Sequence, residues 1–431
     1  MPTAFDTLAD ETVDHRFKGL PPDAAGSTIG ELAAERRDLY TGGFTTPVLT
    51  LSAEAVEHNL TCMERFAGRH GLVLAPHGKT SMAPALFRRQ LDHGAWGITV
   101  AVPHQARVAR AFGVRRIFLA NEVVDAAALA WIAGELDADP GFRLVCYVDS
   151  PRGVELMDAA LRAAGARRPL EVVVEFGVPG GRGGVRDAAR ATAVADAVAR
   201  TGTLRLVGVA GYEGEIPDAD AVSVRRWLDG LCALAVEFDK TGRFAGLGEI
   251  ILSAGGSAWF DAVAGAFTAL PELSRPVLKM LRAGAYVSHD DGRYRDVTPF
   301  NRAPLEGSLL PAFRLWAQVV SRPDPDLALI NAGKRDMAYD LGPPEVQAVR
   351  TAEGRVRGGY GLVVSRLADQ HAFVRGPSAG RDTRAGGGVL PQVGDWVALG
   401  MSHPCTIFEK WPVIPLVAGD GTVTDYVRTF F

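Results

Sequence analysis

Apolar positions along this chain fall into two textures, and the change comes near residue 290. From Leu72 onward, short apolar runs alternate with Ala-, Leu- and Arg-rich stretches at helical spacing. The runs lie at 72–75, 97–102, 116–120, 142–149, 170–176, 205–210, 249–254 and 277–283. Continuous Val/Ile/Leu runs bounded by turn residues predict strands buried on both faces of a parallel sheet. The segments between them, such as 84–91, 104–112 and 221–238, predict the crossover helices. An α/β reading follows, and eight strands in about 215 residues fit a (β/α)8 TIM-like barrel, with a doubly wound open sheet as the alternative.

Ahead of this rhythm, 46–51 predicts a strand and Ser52 the N-cap of a helix that runs to about Gly68. Residues 1–44 are polar and irregular, with one helix expected around 30–37. Beyond Asp290 the helical spacing nearly vanishes. β-branched runs recur at 313–320, 327–330, 361–364, 396–399 and 423–427, between glycines and prolines. The organisation expected is a barrel over 45–290 and an antiparallel β-domain from 291–431 that 1–44 joins. Residues 375–388, dominated by Gly and Arg, predict a mobile surface loop.

Composition narrows the class. A chain of 431 residues with 47% hydrophobic residues and a net charge of −4 reads as an ordinary globular protein. Its mild acidity and lack of a Lys/Arg block argue against nucleic acid as partner. No run approaches the ~18 apolar residues of a membrane span. The first twenty residues are charged and lack the apolar centre of a signal peptide. Cys62, Cys146, Cys232 and Cys405 show no disulfide spacing, so a cytoplasmic setting is expected.

The chemistry gathers at strand ends. The first run stops at Pro76 and throws Lys79 off its carboxyl edge, where α/β folds place their sites. Such a lysine is by default a surface residue, yet it can also form a Schiff base. The seventh and eighth runs lead into glycine-rich turns, Ser253, Gly255, Gly256 and Ser257, then Gly284, Ala285 and Tyr286. Turns at those two strands commonly bind phosphate through backbone amides. A phosphate anchor with an imine-forming lysine suggests pyridoxal 5′-phosphate (PLP).

Pro76-His77-Gly78-Lys79-Thr80, with Arg89-Gln90 and Gly-Ala-Trp-Gly-Ile-Thr-Val-Ala at 94–101, resembles the alanine-racemase-fold (type III) PLP enzymes. Within them the chain is most similar to the branch of D-serine dehydratases, D-threonine aldolases and related D-amino acid deaminases, on the deaminase side. The similarity runs from about Thr46 to Phe431. It implies that Lys79 bonds to the cofactor's aldehyde and that Arg182 lies beside the phenolic oxygen or ring edge. It implies that Tyr212 faces the pyridine nitrogen and that the two glycine-rich turns hold the phosphate. His77, two positions before Lys79, either braces the cofactor or is structural. A small D-amino acid substrate and a homodimer, each site completed by the partner's β-domain, are further implications. Aldolases of this branch tend to follow Lys-Thr with His-Lys, whereas this chain has Ser81-Met82.

One motif remains, Ser402-His403-Pro404-Cys405-Thr406. On an extended segment, residues two apart project to one side, so His403 and Cys405 can reach one ion. Imidazole with thiolate suits zinc. Alone, such a pair is more often structural; in the resembled family it is the metal site, with His-X-Asp in the aldolases. The charge-dense turn at 333–340, holding Asp336 and Asp340, either faces the pocket or is simply solvated. The expectation is PLP- and zinc-dependent β-elimination from a D-β-hydroxy amino acid, D-serine first, giving a 2-keto acid and ammonia. A retro-aldol lyase of the D-threonine aldolase kind, a D-threo-3-hydroxyaspartate dehydratase and a non-catalytic PLP carrier are the alternatives.

Overall fold

The computed structural model describes residues 5–376 and 389–431. The glycine-rich loop expected at 375–388 therefore lies almost wholly outside the described residues. β1 (Val48–Ser52) is followed by a helix over Ala53–Arg69, and Ser52 caps it by accepting from the Ala55 amide. The alternation predicted from Leu72 onward then appears as eight strands. They are β2 (Val73–Leu74), β3 (Ile98–Val100), β4 (Arg116–Glu122), β5 (Arg143–Val148), β6 (Leu170–Phe176), β7 (Leu204–Gly211), β8 (Ile250–Ala254) and β9 (Val277–Leu281).

All neighbours in this sheet are parallel, in the order β2-β9-β8-β7-β6-β5-β4-β3. Its two edges meet, because the Trp96 amide donates to Leu74 (2.7 Å) and the Thr99 amide to Pro76 (2.8 Å). Burial explains the apolar runs: Val172, Val173 and Val174 are each fully enclosed, one face by the barrel interior and the other by helices. Side-chain caps start the helices after β4 to β7, from Asp125, Ser150, Asp187 and Asp220. With every strand parallel, all eight carboxyl ends open on one rim.

The second sheet has ten strands and is mainly antiparallel. It contains β10 (Phe313–Asp324), β11 (Leu327–Ile330), β12 (Glu345–Arg350), β13 (Val356–Gly358), β14 (Val363–Leu367), β15 (Ala372–Arg375), β16 (Trp396–Gly400), β17 (Val413–Val417) and β18 (Val423–Arg428), with β1 as the tenth. β1 lies within the segment assigned above to the barrel, yet it pairs antiparallel with β10 and parallel with β17. Residues from the first 44 pack on this sheet, where Val13, Phe17, Leu32 and Phe44 join Trp316, Val413 and Tyr426 in one buried cluster. Lys18 fixes that arm by reaching Asp336 (2.8 Å) over the ring of Trp411. Among the described residues, no helix is long and apolar enough to cross a membrane.

Candidate active site

Lys79 lies in a single 3-10 turn, Gly78–Thr80, just beyond β2. Burial pushes its amine below the ordinary lysine value, and the guanidiniums of Arg182 and Arg282 add to this. Cys405 and Glu215 oppose the shift. A lysine whose proton affinity is lowered in this way suits a nucleophile or base. His77, half-buried, is held well below its usual value by burial and by Lys79, so the ring is neutral. Its Nδ1 is enclosed without a hydrogen-bond partner. Gly284 packs so tightly here that a Cβ would lie 2.4 Å from the His77 carbonyl oxygen.

The Gly-rich loop after β6 brings Arg182 over the ring of Tyr212 at 5.3 Å, with its Nε 3.0 Å from Glu215. The Arg182 side chain is 63% exposed and marks the mouth of the site. Burial, with Glu213 beside it, pushes the Tyr212 phenol up to about 12, so it stays neutral. Beneath this loop lies a carboxyl cluster that no motif announced, Glu122, Asp149 and Glu175, whose oxygens lie within 4.8 Å of one another. Asp149 accepts the Gly184 amide at 3.1 Å. Burial, then the charge of Glu175, pushes Glu122 up to about 8.

The two phosphate turns are organised differently from the expectation. The Ser253 hydroxyl donates to Met280 O at 3.1 Å and accepts from Arg282, so it is committed inside the barrel wall. The Gly255 and Gly256 amides donate to Glu213 (3.0 and 2.7 Å), a residue the sequence reading did not single out. The Tyr286 ring is buried and meets Gln90, so that side chain points away from the rim. Ser257, Gly284 and Ala285 remain to present an anion site, and next to them starts the helix Phe260–Thr268. That helix has neither a side-chain cap nor an N-terminal proline, unlike its barrel neighbours, which leaves its first amides suited to an anion. With the depressed Lys79 and the orphaned His77 nitrogen, the rim fits an aldehyde cofactor with a phosphate tail.

The metal motif departs from the extended form assumed above. His403 is extended, but Cys405 lies in a 3-10 turn, Pro404–Thr406, closed by the Ile407 amide on Pro404 O. The turn still brings the two side chains together. Its Sγ lies 3.5 Å from the hydroxyl of Thr80, the residue next to Lys79. Asp340 takes His403 Nδ1 at 2.6 Å and the Thr406 hydroxyl at 2.8 Å, which orients the imidazole, and the ring also hydrogen-bonds the Cys405 side chain. Cys405 and then Asp340 push the His403 imidazole up to about 9, so this pocket favours a positive charge, a proton or a cation. The donor set fits a borderline-soft divalent ion. Of the charge-dense turn, Asp340 reaches the site, whereas Asp336 is buried under Lys18 and caps the Gly333 amide.

Comparison with known proteins adds to this geometry. The family described as a serine dehydratase domain matches residues 312–417. A D-threonine aldolase of an Arthrobacter species is 30% identical over 383 residues, 88% of this chain and 90% of that protein. The crystal structure of D-threonine aldolase from Filomicrobium marinum superposes with a TM-score of 0.74 at 25% identity, covering 90% of this chain and 95% of that one. D-threo-3-hydroxyaspartate dehydratase from Delftia sp. HT23 superposes at 0.66 and 24% identity, covering 89% and 97%. A dehydratase of that name is also solved as two alanine variants, one of a histidine and one of a cysteine two positions later, the cysteine variant in a metal-free form.

Proposed function

Because this chain belongs to the alanine-racemase-fold, PLP-dependent lyases, in the branch that includes D-threonine aldolase, we propose that it dehydrates a D-β-hydroxy amino acid, D-serine foremost. One observation carries this over the aldolase reading: the donors beside the lysine turn are an imidazole and a cysteine sulfur, with Cys405 Sγ 3.5 Å from Thr80. A thiolate selects zinc over hard ions. Zinc supplies Lewis-acid help to a poor leaving group such as hydroxide, and PLP supplies an electron sink at the substrate's Cα. The histidine and cysteine variants of the hydroxyaspartate dehydratase, spaced as His403 and Cys405 are, support the same assignment.

The chain's own residues divide the work. Lys79 would anchor the cofactor through Nζ and is placed to accept a substrate proton there, since burial lowers the proton affinity of its amine. His403 and Cys405 would hold the metal, with Asp340 fixing the imidazole. Tyr212, a neutral phenol, would offer a cofactor nitrogen a hydrogen bond and not a charge. Ser257, Gly284 and Ala285 take the phosphate. A homodimer belongs to this reading, and an active monomer in dilute sedimentation would contradict it.

Incubation with D-serine, D-threonine and D-threo-3-hydroxyaspartate tests the reading. Keto acid and ammonia from D-serine are expected. Glycine and an aldehyde from D-threonine would establish the retro-aldol lyase instead, the reading that the 30% identical aldolase favours. No product from any of them would leave a PLP carrier.

A further inference from the structure

Glu213 is a fully buried carboxyl group (0% exposed) opening the 3-10 turn just beyond β7, and no cation among the described residues ion-pairs with it. Its two oxygens instead each accept one backbone amide, from Gly255 at 3.0 Å and Gly256 at 2.7 Å. A buried charge without a counter-ion is costly unless its hydrogen bonds are arranged to hold it. Here the arrangement fixes a turn. Gly255 is left-handed (φ +100°), and a Cβ there would lie 2.6 Å from Leu281. A Cβ on Gly256 would lie 2.5 Å from the ring of Tyr212, the residue before Glu213. Two consecutive residues therefore grip one turn, the carboxylate beneath it and the phenol ring against its side.

We propose that Glu213 is the positioning residue of the cofactor's anion site, a built-in carboxylate template that shapes the 255–257 turn for phosphate. By drawing two amides back into the barrel wall, it sets where Ser257 and the uncapped helix Phe260–Thr268 face the pocket. The opposite possibility is that the carboxylate occupies the phosphate's own place and must leave. Burial argues against that. Glu213 is sealed, while Gly256 and Ser257 are half-exposed, so the carboxylate lies behind the turn and a phosphate arrives in front. This inference rests on the PLP reading of the site.

The test compares two probes that differ only by the phosphate. Protein stripped of cofactor is titrated with PLP and with pyridoxal, following the visible absorbance, for the native chain, Glu213→Gln and Glu213→Ala. Gln offers one acceptor where two amides need acceptors, so it does not rescue. The expected result is a loss of PLP affinity of roughly tenfold or more in both variants, with pyridoxal affinity nearly unchanged. An unchanged PLP-to-pyridoxal ratio overturns the proposal, and a ratio that rises would mean the carboxylate blocks the site. If neither variant folds, hydrogen exchange on the native chain decides: Gly255 and Gly256 amides protected both with and without PLP support the template, and protection only with PLP overturns it. Failure of the native chain to bind PLP at all would break the cofactor assignment itself, a result distinct from the others.

Discussion

The candidate site joins two halves built in opposite ways. The cofactor half is spread over the barrel: Lys79, His77, Arg182, Tyr212 and the 253–257 and 284–286 turns come from five different strand ends. It is crowded with cations, and burial there lowers the proton affinity of Lys79 and His77. The metal half is local, a four-residue turn of the β-domain with one carboxylate behind it, and its acceptors draw a positive charge in. The halves touch at Thr80 and Cys405. On the proposed function, this contrast makes cofactor binding and leaving-group activation separable, and each variant below is aimed at one half only.

The largest effect is expected from Lys79→Ala, which should remove roughly four or more decades of D-serine turnover. Borohydride treatment followed by peptide mass analysis should find no cofactor fixed to the variant. Covalent cofactor elsewhere in that protein would move the anchor away from Lys79. Next comes the metal half. Chelation, or Cys405→Ser, should cost roughly three decades of turnover while the visible cofactor absorbance stays. Zinc should restore the chelated protein better than magnesium, and a demetallated protein at full rate would return His403 and Cys405 to a structural role. If the absorbance vanished together with the metal, the two halves would be one.

A smaller effect is expected one shell further out. Asp340→Asn should weaken zinc binding by roughly 10- to 100-fold, read by competition with a chelating dye, and leave PLP titration unmoved. The smallest concerns the carboxyl cluster under the Arg182 loop. Glu122 in the folded chain holds its proton up to about pH 8, far above the ordinary 4.5. Its contribution to stability is therefore complete below pH 4.5 and lost as pH rises through about 8. Glu122→Gln keeps the neutral form at every pH. Its melting temperature should exceed that of the native chain by about 2–4 °C at pH 9 and match it near pH 4.5, a difference that scanning fluorimetry resolves. Parallel curves for the two proteins would mean that Glu122 is ionised throughout.

Much of the barrel was legible because each of its strands is enclosed on both faces and so reads as an unbroken apolar run. The β-domain was less so. β12 and β13 are short and half-exposed, with no clean alternation, and β17 carries Pro415 in its middle, a residue that argues against a strand. β1 followed by a capped helix looks locally like a barrel unit, and nothing near it in sequence tells of its partner β10. Lys79 drew notice by its place at a strand end, and His403 and Cys405 through the family resemblance, since by spacing alone such a pair is more often structural. Glu213 did not, since Tyr-Glu-Gly after a strand is unremarkable until the fold brings it to the amides forty residues on. For the same reason Ser253 looked like a phosphate ligand, although its hydroxyl is spent on Arg282 and Met280.

The pairing of β1 with β10 has a consequence for how the molecule comes into being. Thr50 meets Arg314 across 264 positions, and β1 is the strand that joins β10 to β17 in the middle of the second sheet. A fragment beginning at residue 291 would lack that central strand and expose two raw sheet edges, which invite aggregation. During synthesis β1 emerges first, waits unpaired while the whole barrel is made, and is matched only when β10 follows. Closing so long a loop is slow unless the barrel has already folded and brought its two ends together. The turn that carries His403 and Cys405 depends on that closure, because it follows β16, which is itself paired with β10.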